Sequence, residues 1–529
     1  MKLGRWQPPL IVVTTVVLVA AATGALFGER SIPDSETSVV MRASRLVDSM
    51  LGWLPDETAP DDLIYDGIHG MLEVLDPHSN YMDPRTFQQM RARQEGSFFG
   101  IGIIIARRDG NVTVIAPMAG TPAAQMGLRA GDVIAAVGGE PTEELNLDEV
   151  VDRVRGPEGS TVLLTIERPG LGEPFEVEIT RARIPQDSVR FAFMLRPGTG
   201  YIRLSEFTST SVREVGGAMN ALRDQGMTDL IFDLRNNPGG QLDAAVGISN
   251  FFLREGQLIV STRGRTPDSV SVLTAPGRGR PFEGPLVVLV NEGSASASEI
   301  VAGAVQDHDR GLVVGETTWG KGLVQTVFTV RDTGLALTTA RYYTPSGRSI
   351  QRDYDSFIDY VTHRNGAAEE PDNTFETDAG RSVLGGGGIA PDVEVVGRPF
   401  SEELVLLYGD TAFFRFAIQL LQDVPESENA DFGARFAVDD ATIDRFLAWV
   451  VDAEILTPDE VAALRSDAQG MDDVARGIRI EVLNATQGLE AGYREGVESD
   501  DQIQAALGLL PDAQDIWRVW QEKYQKERG

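Results

Sequence analysis

Apolar and polar residues follow different periodicities along the chain, and these periodicities predict several structural units. Residues 31–95 place apolar side chains at helical spacing and reach a turn over 75–79. Residues 96–185 form short apolar strands separated by glycine turns. Between residues 186 and 398 strands alternate with helices, a pattern typical of a parallel sheet, and residues 399–529 are helical again. The pattern therefore predicts a mixed α/β, multidomain protein.

Within the alternating region, residues 352–388 are polar and end in four consecutive glycines. Such a segment cannot bury an apolar face, and we expect it to leave the sheet as an exposed loop.

The N-terminal 30 residues predict a membrane segment. Pro8 to Phe27 is an apolar run without charge, preceded by Lys2 and Arg5. About 20 apolar residues span a bilayer as a helix, and the basic flank keeps the N-terminus in the cytoplasm. Ala20–Ala22 leaves a cleaved signal peptide open as an alternative. In either case the remaining chain is extracytoplasmic, on the periplasmic side, either anchored in the cytoplasmic membrane or secreted.

Composition excludes several classes of function. The 529 residues include 79 acidic and 47 basic side chains, a formal charge of −32, which argues against a nucleic-acid partner. The chain contains no cysteine, so thiol catalysis, iron–sulfur clusters and cysteine-ligated zinc are excluded.

The scarcity of lysine draws attention to Lys321, the only lysine between residues 3 and 522. Arginine cannot lose its proton in a protein, whereas a desolvated lysine can. Trp319 and apolar neighbours are expected to exclude water from Lys321, so that burial lowers its pKa and the neutral amine serves as a general base. Gln325 is predicted to lie on the same strand face and orients this amine, or is an ordinary strand glutamine.

A second candidate is a serine-rich turn over 291–300, between the apolar strand 286–290 and a predicted helix. Small residues allow a sharp strand-to-helix turn, and the helix N-terminus supplies oriented N–H groups. This environment suits a serine nucleophile, with Ser294, Ser296 and Ser298 as candidates. The alternative is that Ser298 simply caps the helix.

A third candidate is the turn Asp233–Gly240, which also follows a buried strand. Gly239 and Gly240 can present backbone N–H groups to an oxyanion, although Asn-Pro-Gly-Gly also suits a simple turn. His308, twelve residues after Ser296, leaves a histidine-dependent serine hydrolase as another hypothesis.

Six collinear segments within residues 36–396 together resemble the carboxyl-terminal processing (tail-specific) serine proteases. The resemblance implies a ClpP/crotonase-like catalytic core with an inserted PDZ domain. The segments are Gly200–Ile202 with Phe207, Asp233–Gly240, Ser294–Ile300, Gly315–Gln325, Tyr343–Gln351 and Gly388–Asp392.

The resemblance assigns roles to three side chains. Ser296 matches the middle serine of the family's Ser-Ala-Ser-Ala-Ser motif and would be the nucleophile. Lys321 would be the general base and Gln325 the residue that holds it. Such a site requires no metal and no organic cofactor.

The resemblance also implies where the oxyanion is stabilised. The donors would be the N–H of Ala297 and that of Gly239 or Gly240. Pro238 stands where the family more usually has glycine, which leaves the choice between the two glycines open.

Residues 97–103 resemble a PDZ carboxylate-binding loop, and residues 122–134 resemble the family's PDZ signature. The implied peptide-binding residues are Phe99, Gly100, Ile101 and Gly102. A glycine-rich loop binds a terminal carboxylate while a strand edge pairs with the peptide, so the implied substrates are proteins or peptides with apolar C-terminal tails.

These observations predict a serine endopeptidase with five segments, bounded by residues 1–30, 31–95, 96–185, 186–398 and 399–529. The alternative is a membrane-tethered PDZ scaffold with an inactive core, in which replacing Ser296 changes no activity. The sequence leaves open whether the PDZ domain activates or inhibits the core, and whether the chain forms a homo-oligomer.

Overall fold

A computed structural model describes residues 60–108, 110–277, 279, 281–353, 374–422, 424–425 and 428–528. The predicted membrane segment over 8–27 lies outside the described residues. So do residues 31–59 of the predicted N-terminal helical region and 354–373 of the predicted loop.

The centre of the molecule is a six-stranded sheet. Its first two strands are antiparallel and the remaining neighbours are parallel. A continuous apolar run predicts a strand buried on both faces, and Leu286–Val290 is fully buried inside this sheet. In spatial order the strands are Val189–Arg196, Thr199–Leu204, Asp229–Asp233, Leu286–Val290, Leu312–Gly315 and Val393–Glu394.

Helices cover both faces of this central sheet. One face packs against Ser211–Asp224, Leu242–Ser249 and Ala297–Asp307. The opposite face packs against three helices from the C-terminal region, Leu489–Val497, Asp501–Gly508 and Leu510–Arg528. Successive strand residues alternate between the two clusters, as the pleat requires. These three C-terminal helices therefore complete the core.

A second sheet of five strands lies beside the central sheet and includes the strand that follows Lys321. The N-terminal helices Pro60–Leu72 and Pro84–Gln94 flank its first strand, with Phe87 and Met82 packed on Ala336. Its strands are Asn80–Met82, Thr333–Tyr343, Leu258–Gly264 and Ser271–Thr274, with Leu323–Val330 paired to Thr333–Tyr343. The 3₁₀ helix Pro267–Ser269 and the hairpin Thr374–Glu376 with Ser382–Leu384 complete this region.

A separate strand-rich unit has its own apolar core, and Ile103–Arg108 forms an open edge of its sheet. The antiparallel strands Ser97–Gly100 and Ala182–Pro185 form a ribbon at its base. The unit's strands are Ile103–Arg108, Asn111–Pro117, Val133–Val137, Glu140–Pro141, Thr161–Glu167 and Phe175–Thr180; its helices are Pro122–Gln125, Thr142–Glu144 (3₁₀) and Leu147–Val154.

The remaining C-terminal helices form a bundle around a cluster of phenylalanine and leucine side chains. Over the described part of the chain no single helix is long and apolar enough to cross a membrane. Glu402–Gly409 and Ala412–Leu421 would be long and apolar enough only together, and they are bent by 56° relative to each other. The bundle comprises Glu402–Gly409, Ala412–Leu421, Asn429–Arg435, Asp440–Asp452, Pro458–Ser466 and Ala468–Gln487.

Candidate active site

The serine-rich turn distinguishes its three serines by burial and bonding. Ser294 and Ser298 are fully buried, and their hydroxyls donate to the carbonyls of Leu234 (2.8 Å) and Asn237 (2.9 Å). Ser296 is only partly buried and occupies the N-cap position of the helix Ala297–Asp307. Ser294 and Ser298 therefore hold the turn together, and Ser296 presents its hydroxyl outside the core.

The backbone of Ser296 is strained, with φ 56° and ψ −110°. A non-glycine residue in such a conformation costs about 1–3 kcal/mol and persists only where its surroundings impose it. The sharp turn between a buried strand and a helix resembles the geometry that exposes nucleophilic serines.

A fully buried carboxylate, Glu299, joins the serine turn to the turn that carries Lys321. Its Oε1 accepts from Thr318 Oγ1 (2.6 Å) and Gly320 N (2.7 Å), and its Oε2 accepts from the backbone N–H groups of Ser296 (2.7 Å) and Lys321 (2.9 Å). Burial raises the pKa of Glu299 against the opposing effect of these hydrogen bonds. Because one oxygen binds both N–H groups, the backbones of Ser296 and Lys321 are adjacent.

Tyr342 provides a second link between the same two residues. Its hydroxyl lies 3.1 Å from the carbonyl oxygen of Ser296 and also hydrogen-bonds to that of Lys321. The two turns are thus fixed to each other by a carboxylate on one side and a phenol on the other.

The side chain of Lys321 is half-buried, and burial lowers its pKa below the ordinary lysine value. The negative charges of Glu299 and Asp76 oppose this shift. Within the described residues the structure has no hydrogen bond between the Lys321 amine and the Ser296 hydroxyl.

Within the described residues no hydrogen bond joins Gln325 to Lys321, although the strand spacing predicts that Gln325 orients this amine. Lys321 precedes the strand Leu323–Val330, and a register shift after Val324 breaks the expected alternation. The Gln325 amide donates instead to the carbonyl oxygen of His78. Burial, followed by the nearby charge of Lys321, lowers the pKa of His78 to about 4, so this histidine is neutral beside the lysine at neutral pH.

The glycine turn, residues 236–240, lies directly against the serine turn, residues 291–300. A Cβ on Gly239 would approach Ala297 N to 2.8 Å and Ser296 Cβ to 2.8 Å, and one on Gly240 would collide with Phe207 O at 2.0 Å. Their φ values of 98° and 144° also favour glycine. Gly239 N–H donates to Asn237 Oδ1 (2.9 Å), so it is already engaged.

Two other backbone N–H groups at this junction have no acceptor among the described residues, those of Ala297 and Gly240. Ala297 is the first residue of its helix, where N–H groups lack an intrahelical partner. Of the two glycines, Gly240 is therefore the better candidate for an oxyanion donor, because its N–H is not bonded within the described residues.

His308 cannot act as the general base for Ser296. It lies at the opposite end of the helix Ala297–Asp307, and its ring nitrogens bind Asp378 Oδ2 (2.8 Å) and Leu258 O (2.7 Å). An 11-residue helix is about 16 Å long, so the histidine-dependent hypothesis is wrong.

Comparison with known proteins gives the family. Residues 198–356 match Peptidase family S41 and residues 113–168 match a PDZ domain. A carboxy-terminal-processing protease of Bartonella bacilliformis is 43% identical over 301 residues, which cover 56% of this chain and 69% of that relative. The chain belongs to the carboxyl-terminal processing proteases of peptidase family S41.

Other proteins are also similar to this chain. The carboxy-terminal processing protease CtpA of Bacillus subtilis is 32% identical over 349 residues, covering 65% of this chain and 74% of the relative. A solved structure of a photosystem II D1 C-terminal processing protease is 31% identical, covers 66% of this chain and 85% of that one, and superposes with a TM-score of 0.36. The family match confirms the predicted family and the predicted enzyme class, a serine peptidase. The PDZ domain and the mixed α/β architecture are confirmed as well.

In this S41 protease the predicted carboxylate-binding loop enters the edge strand Ile103–Arg108. Phe99 and Gly100 belong to the ribbon strand, paired with Arg183 and Ala182. Ile101 is fully buried, and its carbonyl accepts from Ala123 N (2.9 Å).

Gly102 has a φ of 80°, and a Cβ there would collide with Thr121 at 2.3 Å. The backbone N–H groups of Ile101 and Gly102 have no acceptor in the described part of the protein.

Sequence reasoning missed Glu299 and Tyr342. Glu299 had a readable signal, because Ser-x-x-Glu at the start of an apolar helix is a capping-box pattern and the glutamate side chain does bind the Ser296 N–H. Tyr342 had none, because its strand meets the serine turn only in three dimensions.

Proposed function

We propose that this S41 protease cleaves peptide bonds through Ser296 and the neutral amine of Lys321, after its PDZ domain has captured the carboxyl terminus of a substrate. The observation that carries the assignment is the serine turn: Ser294 and Ser298 are engaged in buried hydrogen bonds, whereas Ser296 is strained, partly exposed and adjacent to Lys321 through Glu299.

In the first half of the reaction Ser296 Oγ attacks the substrate carbonyl carbon and its proton passes to Lys321 Nζ. The tetrahedral intermediate collapses when the peptide C–N bond breaks, and the lysine ammonium gives the proton to the leaving amine. In the second half, Lys321 takes a proton from the water that attacks the acyl ester. The lysine ammonium then gives this proton to Ser296 Oγ as the ester C–O bond breaks and the carboxyl product leaves, which regenerates both side chains.

The N–H groups of Ala297 and Gly240 are suited to the oxyanion. Both are unbonded in the described structure, and Gly239 keeps the space beside Ser296 free of any side chain. Pre-oriented N–H donors at this position account for a large share of catalysis in serine hydrolases.

Lys321 is suited to act as a base because burial favours its uncharged form. Its amine must approach the Ser296 hydroxyl when substrate binds, as catalytic hydrogen bonds often tighten only in the substrate complex. Gln325 acts on Lys321 indirectly. Its amide binds the His78 carbonyl oxygen and so holds His78 near the lysine.

The PDZ domain is suited to bind an extended tail. The strand Ile103–Arg108 has an open edge for pairing with a peptide, and the unbonded N–H groups of Ile101 and Gly102 lie at its start, where a terminal carboxylate would be received. We propose that apolar tails are preferred, and that residues 8–27 anchor the enzyme on the extracytoplasmic side of the cytoplasmic membrane.

The decisive experiment compares Ser296→Ala with Ser298→Ala in the full chain, using an unstructured protein as substrate. We expect Ser296→Ala to lower kcat at least about a thousandfold without loss of stability. Ser298→Ala loses one buried hydrogen bond, about 1 kcal/mol of stability, and keeps far more activity. Equal turnover by Ser296→Ala and the wild-type protein would favour the inactive PDZ scaffold instead.

A further inference from the structure

Directly before the glycine turn, Asp233 and Arg235 form a buried ion pair. The Arg235 guanidinium donates to both carboxylate oxygens of Asp233, with Nη2 2.6 Å from Oδ2 and Nε 3.0 Å from Oδ1. Asp233 is fully buried and Arg235 is nearly so. Burial alone would raise the pKa of Asp233, but the charge and hydrogen bonds of Arg235 outweigh it and hold the pKa below the ordinary value.

The C-terminal region provides the other partners of this pair. Arg235 Nη1 donates to Gln502 Oε1 (2.8 Å) and lies 2.8 Å from Asp500 Oδ2. Asp500 also caps the helix Asp501–Gly508 by accepting from Ile503 N (3.0 Å). Asp500, which caps this helix, is thus bound to Arg235, the residue directly before the glycine turn and 265 positions away in sequence.

Tyr493 is linked to the same carboxylate through the Tyr201 hydroxyl. Tyr201 OH donates to Asp233 Oδ2 (2.6 Å), so the 2.7 Å contact between the two phenols requires Tyr493 to donate to Tyr201. Tyr493 in turn accepts from Arg203 Nη1 (2.7 Å), and its ring stacks on Phe191 at 3.8 Å. Donors and acceptors match along the whole chain of contacts.

The charged groups of this network face opposite charges. Arg203 and Arg235 face Asp233 and Asp500, with Arg203 3.8 Å from Asp233, and Gln502 Nε2 also donates to a further carboxylate oxygen, Glu316 Oε1 (3.2 Å). A buried ion pair tolerates desolvation only when its partners are complete, so each member depends on the others for its position.

The network ends at the proposed oxyanion site. Asn236, next to Arg235, has a φ of 56°, and the following Asn237 binds Gly239 N–H, Ala295 N–H and the Ser298 hydroxyl. On its outer side this turn faces a cleft of about 680 Å³, so Asn236 and Pro238 are exposed there. The Arg235 side chain is the anchor that ties the turn to the C-terminal helices.

We infer that the helices Leu489–Val497 and Asp501–Gly508 help to position the catalytic site: Asp500, Gln502 and Tyr493 are positioning residues that hold Arg235 and Asp233 and thereby place the glycine turn against Ser296. This inference rests on the proposed function of that turn. It assigns a role in turnover to a segment that lies outside residues 198–356, the part matched to the peptidase family.

The test is Asp500→Ala in the full chain, with Asp439→Ala as the matched control. Both variants remove a carboxylate that caps a C-terminal helix, but among the described residues the Asp439 carboxylate accepts hydrogen bonds from Thr442 and none from Arg235. With a peptide substrate bearing a free apolar C-terminus, we expect Asp500→Ala to lower kcat about 10- to 100-fold with KM unchanged. Asp439→Ala should leave kcat and KM at wild-type values.

Two further variants make the test specific. Asp500→Asn keeps the helix cap and an acceptor for Arg235, and should recover part of the lost kcat. Tyr493→Phe keeps the stacking on Phe191 but removes the hydroxyl, and should lower kcat at unchanged KM.

Equal kcat for Asp500→Ala and Asp439→Ala, with equal losses of thermal stability, would overturn the inference, because the network would then be structural only. Ser296→Ala is assayed alongside: its inactivity in that case retains the proposed function, whereas its full activity refutes the proposed function itself.

Discussion

At the scale of single residues, burial decides which of three similar side chains is available for chemistry. Ser294, Ser296 and Ser298 alternate within five positions, and two of them are consumed by hydrogen bonds to carbonyls of the neighbouring turn. A hydroxyl that donates a buried hydrogen bond cannot leave it without cost, whereas the hydroxyl of the partly exposed Ser296 donates none within the described residues.

Lys321 is the residue for which a conservative substitution is most informative. Lys321→Arg keeps the positive charge and introduces the basic residue that the chain uses almost everywhere else, but a guanidinium does not deprotonate. We expect this variant to fold and to have no measurable turnover of an unstructured protein. Near-normal activity would exclude the neutral-amine mechanism.

The pH profile provides a related prediction. Since the neutral amine is the active form, kcat/KM should rise with pH through the Lys321 pKa, which burial places below the ordinary lysine value, and then level off. Asp76→Asn removes a charge that raises this pKa, so the rising limb should move to lower pH. Asp83→Asn, on a nearby helix cap, is the control and should not move it. A profile that is flat, or unchanged by Asp76→Asn, would contradict the assignment.

At the scale of elements, the open edge of the PDZ sheet and the loop that precedes it act together. In the binding mode that we propose, the edge strand Ile103–Arg108 would pair with an extended peptide, whereas the N–H groups of Ile101 and Gly102 would select for a terminal carboxylate. Affinity and specificity for the tail therefore come from adjacent but distinct backbone groups.

We expect amidation of a substrate's C-terminus to raise KM with little effect on kcat, because the amide lacks the charge that the loop would bind. The measurement compares two peptides that differ only in this group. If both are cleaved with the same KM, the PDZ domain does not select substrates by their carboxylate.

At the scale of the whole molecule, the acidic C-terminal region has two structural roles. One part forms a helical bundle with its own core, and the last three helices close the second face of the central sheet. A parallel sheet must be covered on both faces, and in this protein a distant part of the chain covers one of them.

The N-terminal segment defines the cellular arrangement that we propose. The full chain should remain in the membrane fraction after high-salt and alkaline washing, while a chain that starts at Ser31 should be released. Both should cleave a soluble peptide at similar rates if residues 1–30 serve only as an anchor. Release of the full chain by washing would favour the cleaved signal peptide.

The sequence by itself determined the elements whose signals are local. Continuous apolar runs predicted the buried strands, small residues predicted the strand-to-helix turn, and the solitary Lys321 drew attention to a base. The motifs around Ser296 also sufficed for the family. These signals are readable because each depends on residues close together in the chain.

Only the tertiary structure decided how these parts meet. It placed Glu299 between Ser296 and Lys321, turned Gln325 towards His78 through a strand irregularity, and brought Asp500 to Arg235. Apart from the local capping contact between Glu299 and Ser296, these contacts join residues tens to hundreds of positions apart, and no periodicity or local propensity encodes them. They arise because sheet packing brings the ends of different elements together and buried polar groups must then find partners there.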